Sequence, residues 1–190
     1  KSFPDSVAID TRYFHVFGNV ANKIDAAWKD RGGLRGYREH VQSVVDKFGH
    51  VTLHAQAWER NIPQSSMPSH LFLCAVRLLD SGGGAPGGLL ARAAWAVREA
   101  FFKEGADISR WDVLLGVAEQ IGVPSAEVEK ILGSGAAHAA LCEDLDLVRQ
   151  HSIQASPTLL FNEGRQRLTG NVGYRIIEAN VRELLEGAPG

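Results

Sequence analysis

The last forty residues impose the tightest constraint on what this chain can fold into. Thr158 to Phe161 is a short strand candidate led in by Ser156-Pro157. Asn162-Glu163-Gly164 supplies a turn, Gln166 to Thr169 a return strand, and Tyr174, Ile177, Val181 and Leu184 recur at the spacing of a closing helix. Nearly everything between Val20 and Val148 carries the helical period instead. At the front, Val7, Ile9, Thr11, Tyr13 and Phe17 alternate onto one face, with His15 among them, and predict a long strand over Val7–Phe17. Strands far apart in sequence can pair around the helices that separate them. The expected architecture is therefore an α/β core formed by 1–17 and 152–190, with 18–151 as a mainly helical insertion.

The helical stretch divides at its glycines and prolines. Val20 to Trp28 is a short helix stopped by Gly32-Gly33. Leu34, Tyr37, Val41, Val44, Val45 and Phe48 stripe a second, ended by Gly49. Val51 to Ala55 reads as extended and Asn61 to Pro68 as loop. Ser69 to Leu79 is apolar on nearly every side and predicts a buried helix, followed by the Ser81 to Gly88 run, which has the composition of a flexible linker. Four more helices follow. Leu90, Ala94, Val97 and Phe101 stripe the first. Trp111, Leu114, Leu115, Ala118 and Ile121 stripe the second, with Ser109 as the predicted N-cap and Asp112 in its first turn. Ser125 is the predicted cap of the third, which carries Val128, Ile131 and Leu132. Ala137, Leu141, Leu145 and Val148 line the fourth.

Composition narrows function by exclusion. Twenty basic against 22 acidic residues give a net charge of −2, with no basic footprint for nucleic acid. No apolar run is long enough to cross a bilayer, so a membrane partner is not expected. The two cysteines, Cys74 and Cys142, are far apart and form no Cys-x-x-Cys pair, which fits a reducing compartment and points to the cytoplasm. An export signal upstream of Lys1 stays open.

Three segments carry a resemblance to a known family. Ser156-Pro157-Thr158 leading into strand, hairpin and terminal helix is similar to the second half of a thioredoxin fold. Ala100-Phe101-Phe102-Lys103-Glu104-Gly105-Ala106-Asp107-Ile108, with Leu114 to Gly122, resembles the helical insertion of DsbA-like proteins. Ile153 to Leu159 continues the match, which covers roughly residues 88 to 185. That family includes FrnE-type oxidoreductases, 2-hydroxychromene-2-carboxylate isomerases and kappa-class glutathione transferases. The resemblance implies a cis bond at Pro157 and a substrate-binding role for Ala155, Ser156, Pro157 and Thr158, whose backbone would pair with an extended substrate or with glutathione. It also implies that the catalytic residue lies upstream of Lys1, at the start of a helix whose dipole stabilises a thiolate. Lys1 to Ser6 then reads as the end of that helix and its turn. A Cys-x-x-Cys there would make a thiol–disulfide oxidoreductase acting on disulfide- or thiol-containing proteins or small molecules. A serine would make a glutathione-dependent isomerase or transferase, and neither would leave a binding protein without redox chemistry. No covalently bound cofactor is implied.

The remaining candidates have plainer readings. Cys74, among Leu71, Leu73, Ala75 and Leu78, reads as a core thiol, and Glu143 and Asp144 disfavour a thiolate at Cys142. His50 and His54 are four apart, but Gly49 ends the helix before them and no metal-ligand motif appears, so no metal site is expected. His70 opens the buried helix and reads either as facing a cleft or as a structural histidine. Gly170-Asn171-Val172-Gly173 reads as a capping turn in preference to an anion cradle.

Overall fold

The computed structural model describes residues 3, 6–49, 51–80 and 88–187. Four residues of the Lys1–Ser6 reading, His50 of the His50/His54 pair, and seven of the Ser81–Gly88 run lie outside them. Among these residues eight α-helices and two strands follow in the order α1 (Val20–Trp28), α2 (Gly33–Val45), α3 (Met67–Leu79), α4 (Leu89–Phe102), α5 (Trp111–Gln120), α6 (Ser125–Gly133), α7 (Ala136–Gln150), β1 (Thr158–Phe161), β2 (Gln166–Thr169) and α8 (Tyr174–Leu185). Short 3₁₀ turns occupy Lys29–Arg31 and Asn162–Gly164. The chain resolves into two compact units, one formed by 9–143 and the other by 1–8 with 144–190.

In the larger unit α3 is the centre, packing against α4, α5 and α6. Phe72, Cys74, Ala75 and Val76 have no exposed surface, because this helix is apolar on all but one side. Leu90, Val97, Leu114 and Val128 close over it from the neighbouring helices. A second cluster forms where α1 and α2 meet Phe101. Trp58 stands edge-on to Phe101 and Tyr37, and Phe17 and Trp28 extend the aromatic chain. Burial raises the Tyr37 phenol above its ordinary value, since the phenolate would lose its hydration there.

Local chemistry sets the helix ends, and in three places differently from the sequence expectation. Asn19 caps α1, accepting the Asn22 N–H at 2.9 Å. α3 begins at Met67, two residues earlier than expected. Pro68 sits in its first turn, where a missing N–H costs nothing. Ser109 is not the cap of α5. Asp107 captures both its N–H and its hydroxyl, and the helix starts after Arg110. Ser125 is the first helical residue of α6, not its cap. Its N–H is taken by the Glu119 carboxylate at 2.7 Å, a bond that also holds that carboxyl below its usual range.

The expected strand over Val7–Phe17 is a correction. Val7 to His15 carry no regular element, Val16 and Phe17 form a turn, and the segment joins no sheet among the described residues. Alternation specifies extended backbone and two faces; a strand also needs a neighbour offering a ladder. Here the Thr11 carbonyl is taken by the Arg77 guanidinium of α3 at 2.9 Å, and Tyr13 stacks on His70. Ile9, expected to share the inner face, is half exposed. Val44 and Phe48, at the end of the α2 stripe, are exposed as well.

In the smaller unit, β1 and β2 form a two-stranded antiparallel hairpin, with Thr158 opposite Thr169 and Phe161 opposite Gln166. Its turn passes through left-handed backbone at Asn162, Glu163 and Gly164. Asn and Gly suit that region and Glu does not. A side chain at Gly164 would in addition meet the His151 imidazole at 3.0 Å.

Candidate functional site

The segment between α7 and β1 is built from its two anchors inward. α7 ends through Ser152 in the left-handed region (φ 49°), with the Ile153 N–H returning to the Val148 carbonyl at 2.9 Å and the Ser152 N–H to Arg149. This is the bond pattern of a helix C-terminus closed by a left-handed residue. Gln154, Ala155 and Ser156 then cross to β1, and the Ser156–Pro157 peptide bond is cis. Two bonds fix the far side. The Thr158 hydroxyl donates to the Ala155 carbonyl at 2.7 Å, and the Gly170 N–H donates to the Pro157 carbonyl at 2.8 Å. Gly170 therefore serves to tie the end of β2 back to Pro157, while the first helical turn of α8 follows Gly173 with no side-chain cap.

With both ends anchored, the middle presents polar backbone. Ser156 and Pro157 are exposed and Ala155 half-buried. Among the described residues the N–H groups of Ala155 and Ser156 have no hydrogen-bond partner. Beside them lies a cavity of about 240 Å³ lined by Ser152, Ile153, Gln154, Ala155, Thr158, Arg167 and Thr169. Arg167 reaches back along it to donate to the His151 carbonyl. The structure thus places Ala155, Ser156, Pro157 and Thr158 on one short, partly exposed, doubly anchored segment.

The other sequence candidates belong to the larger unit. Cys74 is fully buried and Cys142 exposed, and neither is in a disulfide. His70 stacks on Tyr13, with ring centroids 5.7 Å apart. His54 covers Gly105 and accepts the Gln56 N–H at 3.1 Å. Among the described residues no group of three or more His, Cys, Asp and Glu is arranged to hold a metal ion, and no helix is long and apolar enough to cross a membrane. The placement of two residues escaped sequence reasoning. Asp144 is fully buried on α7, three and seven residues beyond Leu141 and Ala137 on the same buried stripe, and only that spacing marks it. Arg167 reaches the segment before Pro157 only through the hairpin fold, and nothing local distinguishes it from any strand arginine.

No protein-family model matches the chain. The crystal structure described as a "putative protein disulfide isomerase from Nitrosomonas europaea" superposes with a TM-score of 0.63 at 20% identity, over 94% of this chain and 76% of that one. The fold is thioredoxin-like. A ClpXP adapter protein SpxH of Halalkalibacterium halodurans is 25% identical over 189 residues, 94% of this chain and 60% of that protein. A second SpxH, of Bacillus licheniformis, is 33% identical over 98 residues, 49% of this chain and 33% of its own length. The chain thus spans less than two thirds of the curated relatives it matches.

Proposed function

We propose that this chain is the substrate-recognition part of a DsbA-like thiol–disulfide oxidoreductase acting in the cytoplasm. In this reading Ala155, Ser156, Pro157 and Thr158 hold an extended thiol- or disulfide-containing substrate. The observation that carries it is the pair of N–H groups at Ala155 and Ser156, without a hydrogen-bond partner among the described residues, on a segment fixed at both ends. An extended chain laid against them gains backbone hydrogen bonds as an added strand does. In this reading neither Cys74 nor Cys142 is the nucleophile: the first is sealed in the core, and the second is an exposed thiol of the larger unit beside Glu143. The exchange itself, attack of a thiolate on a substrate disulfide through a mixed disulfide, is assigned to a cysteine outside these 190 residues. A glutathione-dependent isomerase or transferase would use the same segment for glutathione.

The similarity to the two ClpXP adapter proteins favours a second reading, a non-catalytic binding protein that serves as an adapter. Insulin reduction and peptide binding separate the readings. The 190-residue chain is expected to bind an extended peptide, with amide shifts confined to 154–158, and to show no turnover. The form encoded by the whole reading frame is expected to reduce insulin. Peptide binding without turnover in that longer form would overturn the oxidoreductase reading and favour the adapter.

A further inference from the structure

The cavity beside Ala155 has a one-sided chemistry. Five of its lining residues carry polar side chains: Ser152, Gln154, Thr158, Thr169 and Arg167. Among the described residues that line it there is no carboxylate, and Arg167 is the one cation. Arg167 makes one side-chain hydrogen bond, to the His151 carbonyl, and has no ion-pair partner among the described residues. A guanidinium carries five N–H donors in a planar fork, so an anchored Arg167 keeps donors in reserve while its orientation is held from behind. The register sets its neighbours. Arg167 pairs with Leu160 and Thr169 with Thr158 across the hairpin, so all four side chains rise from one face of the sheet. That face is the one next to the Ala155 segment.

We propose that this cavity takes a carboxylate of the bound peptide, with Arg167 as the residue that selects it. The inference rests on Ala155–Thr158 being the peptide-binding segment, and it adds a substrate class: extended chains carrying an acidic group next to the stretch paired with Ala155 and Ser156. Size agrees with this. At about 240 Å³ the cavity is smaller than the usual site of a whole small-molecule ligand and suits one side chain or a chain terminus. A guanidinium receives a carboxylate through two parallel bonds, and the Thr158, Thr169 and Gln154 side chains stand by with further hydrogen-bonding groups. Because Arg167 is exposed, solvent screens the attraction and the gain is modest, roughly fivefold in affinity at low salt.

The test uses the 190-residue chain and three fluorescent hexapeptides of alanine and valine: an amidated peptide with a central glutamate, its amidated glutamine isostere, and the glutamine peptide with a free C-terminal carboxylate. Polarisation gives affinities, and ¹⁵N spectra give the amides that shift. The expected result is roughly fivefold tighter binding by one of the two acidic peptides, which identifies a side-chain or a terminal carboxylate as the source. That gap should vanish in Arg167→Gln, persist in part in Arg167→Lys, where the charge remains without the fork, and close in about 0.5 M salt. Equal affinity for all three peptides, or a gap that survives in Arg167→Gln, overturns the carboxylate assignment and leaves the peptide-binding segment standing. No binding and no shifts at 154–158 removes both. Unchanged ¹⁵N spectra of the variants outside 151–169 establish that they are folded.

Discussion

The assignment of chemistry to neither of this chain's own cysteines can be tested by timing their modification. Cys142 lies on an exposed stretch of α7 and should react with a small disulfide reagent at the rate of an ordinary accessible thiol. Cys74 has no accessible surface and sits in the middle of α3 with Phe72, Ala75 and Val76 equally sealed around it. A reagent reaches it only when the packing of α3 against α4, α5 and α6 opens. Core helices open with free energies near that of global unfolding, and the low end of ordinary domain stability is about 5 kcal/mol. At a factor of ten per ~1.4 kcal/mol, Cys74 should be modified about 10³- to 10⁴-fold more slowly than Cys142. Stopped-flow and manual absorbance traces with dithionitrobenzoate should therefore show one fast thiol and one very slow one. Denaturant should merge the two, with a total of two free thiols and no disulfide. Replacing Cys142 with serine should delete the fast phase alone. A Cys74 rate within tenfold of Cys142 would refute the reasoning, because it would mean that α3 exposes its central face under native conditions and that Cys74 could take part in exchange.

Three further outcomes follow from the geometry. Gly105→Ala should destabilise by about 2–4 kcal/mol, lowering the thermal midpoint by roughly 5–15 °C, because the residue has φ +69° and its new Cβ would lie 2.3 Å from the His54 Nδ1. Adding His54→Ala should recover part of that loss; no recovery would show that the imidazole is not what the glycine accommodates. Glu119→Gln should flatten the acid limb of the stability–pH curve. The folded carboxyl titrates below its unfolded value, so its contribution is present above about pH 4.5 and is lost as pH falls through the depressed folded value. An unchanged slope in urea melts between about pH 5 and 3 would remove the Glu119–Ser125 bond from the account. Phe72→Ala should cost about 3–5 kcal/mol, since the ring is wholly enclosed by the main cluster, and a loss under about 1 kcal/mol in denaturant melts would mean that the core there collapses around the gap.

By itself the sequence determined the elements and most of the inward-facing residues. Leu90, Ala94, Val97 and Phe101 are buried on α4 as their spacing requires, and the hairpin runs from Thr158 to Thr169 with its turn at Asn162-Glu163-Gly164. Such patterns are legible because periodicity and turn chemistry are local: each residue's place on a helix or strand depends on neighbours a few positions away. The Ala155–Thr158 segment could be singled out for the same reason, as a proline leading into a strand. Only the tertiary structure decided what these elements do with one another. Among the described residues it offered no sheet partner to Val7–Phe17, and it gave the Thr11 carbonyl to Arg77, 66 residues away. It buried Asp144 and turned Ile9 and Phe48 outward. It swung Arg167 back to His151, 16 residues upstream, so that an unremarked arginine stands beside the segment it is proposed to serve. Each of those outcomes is a meeting of groups far apart in the chain, and no local pattern encodes which partner a carbonyl or a guanidinium will find once the elements have packed.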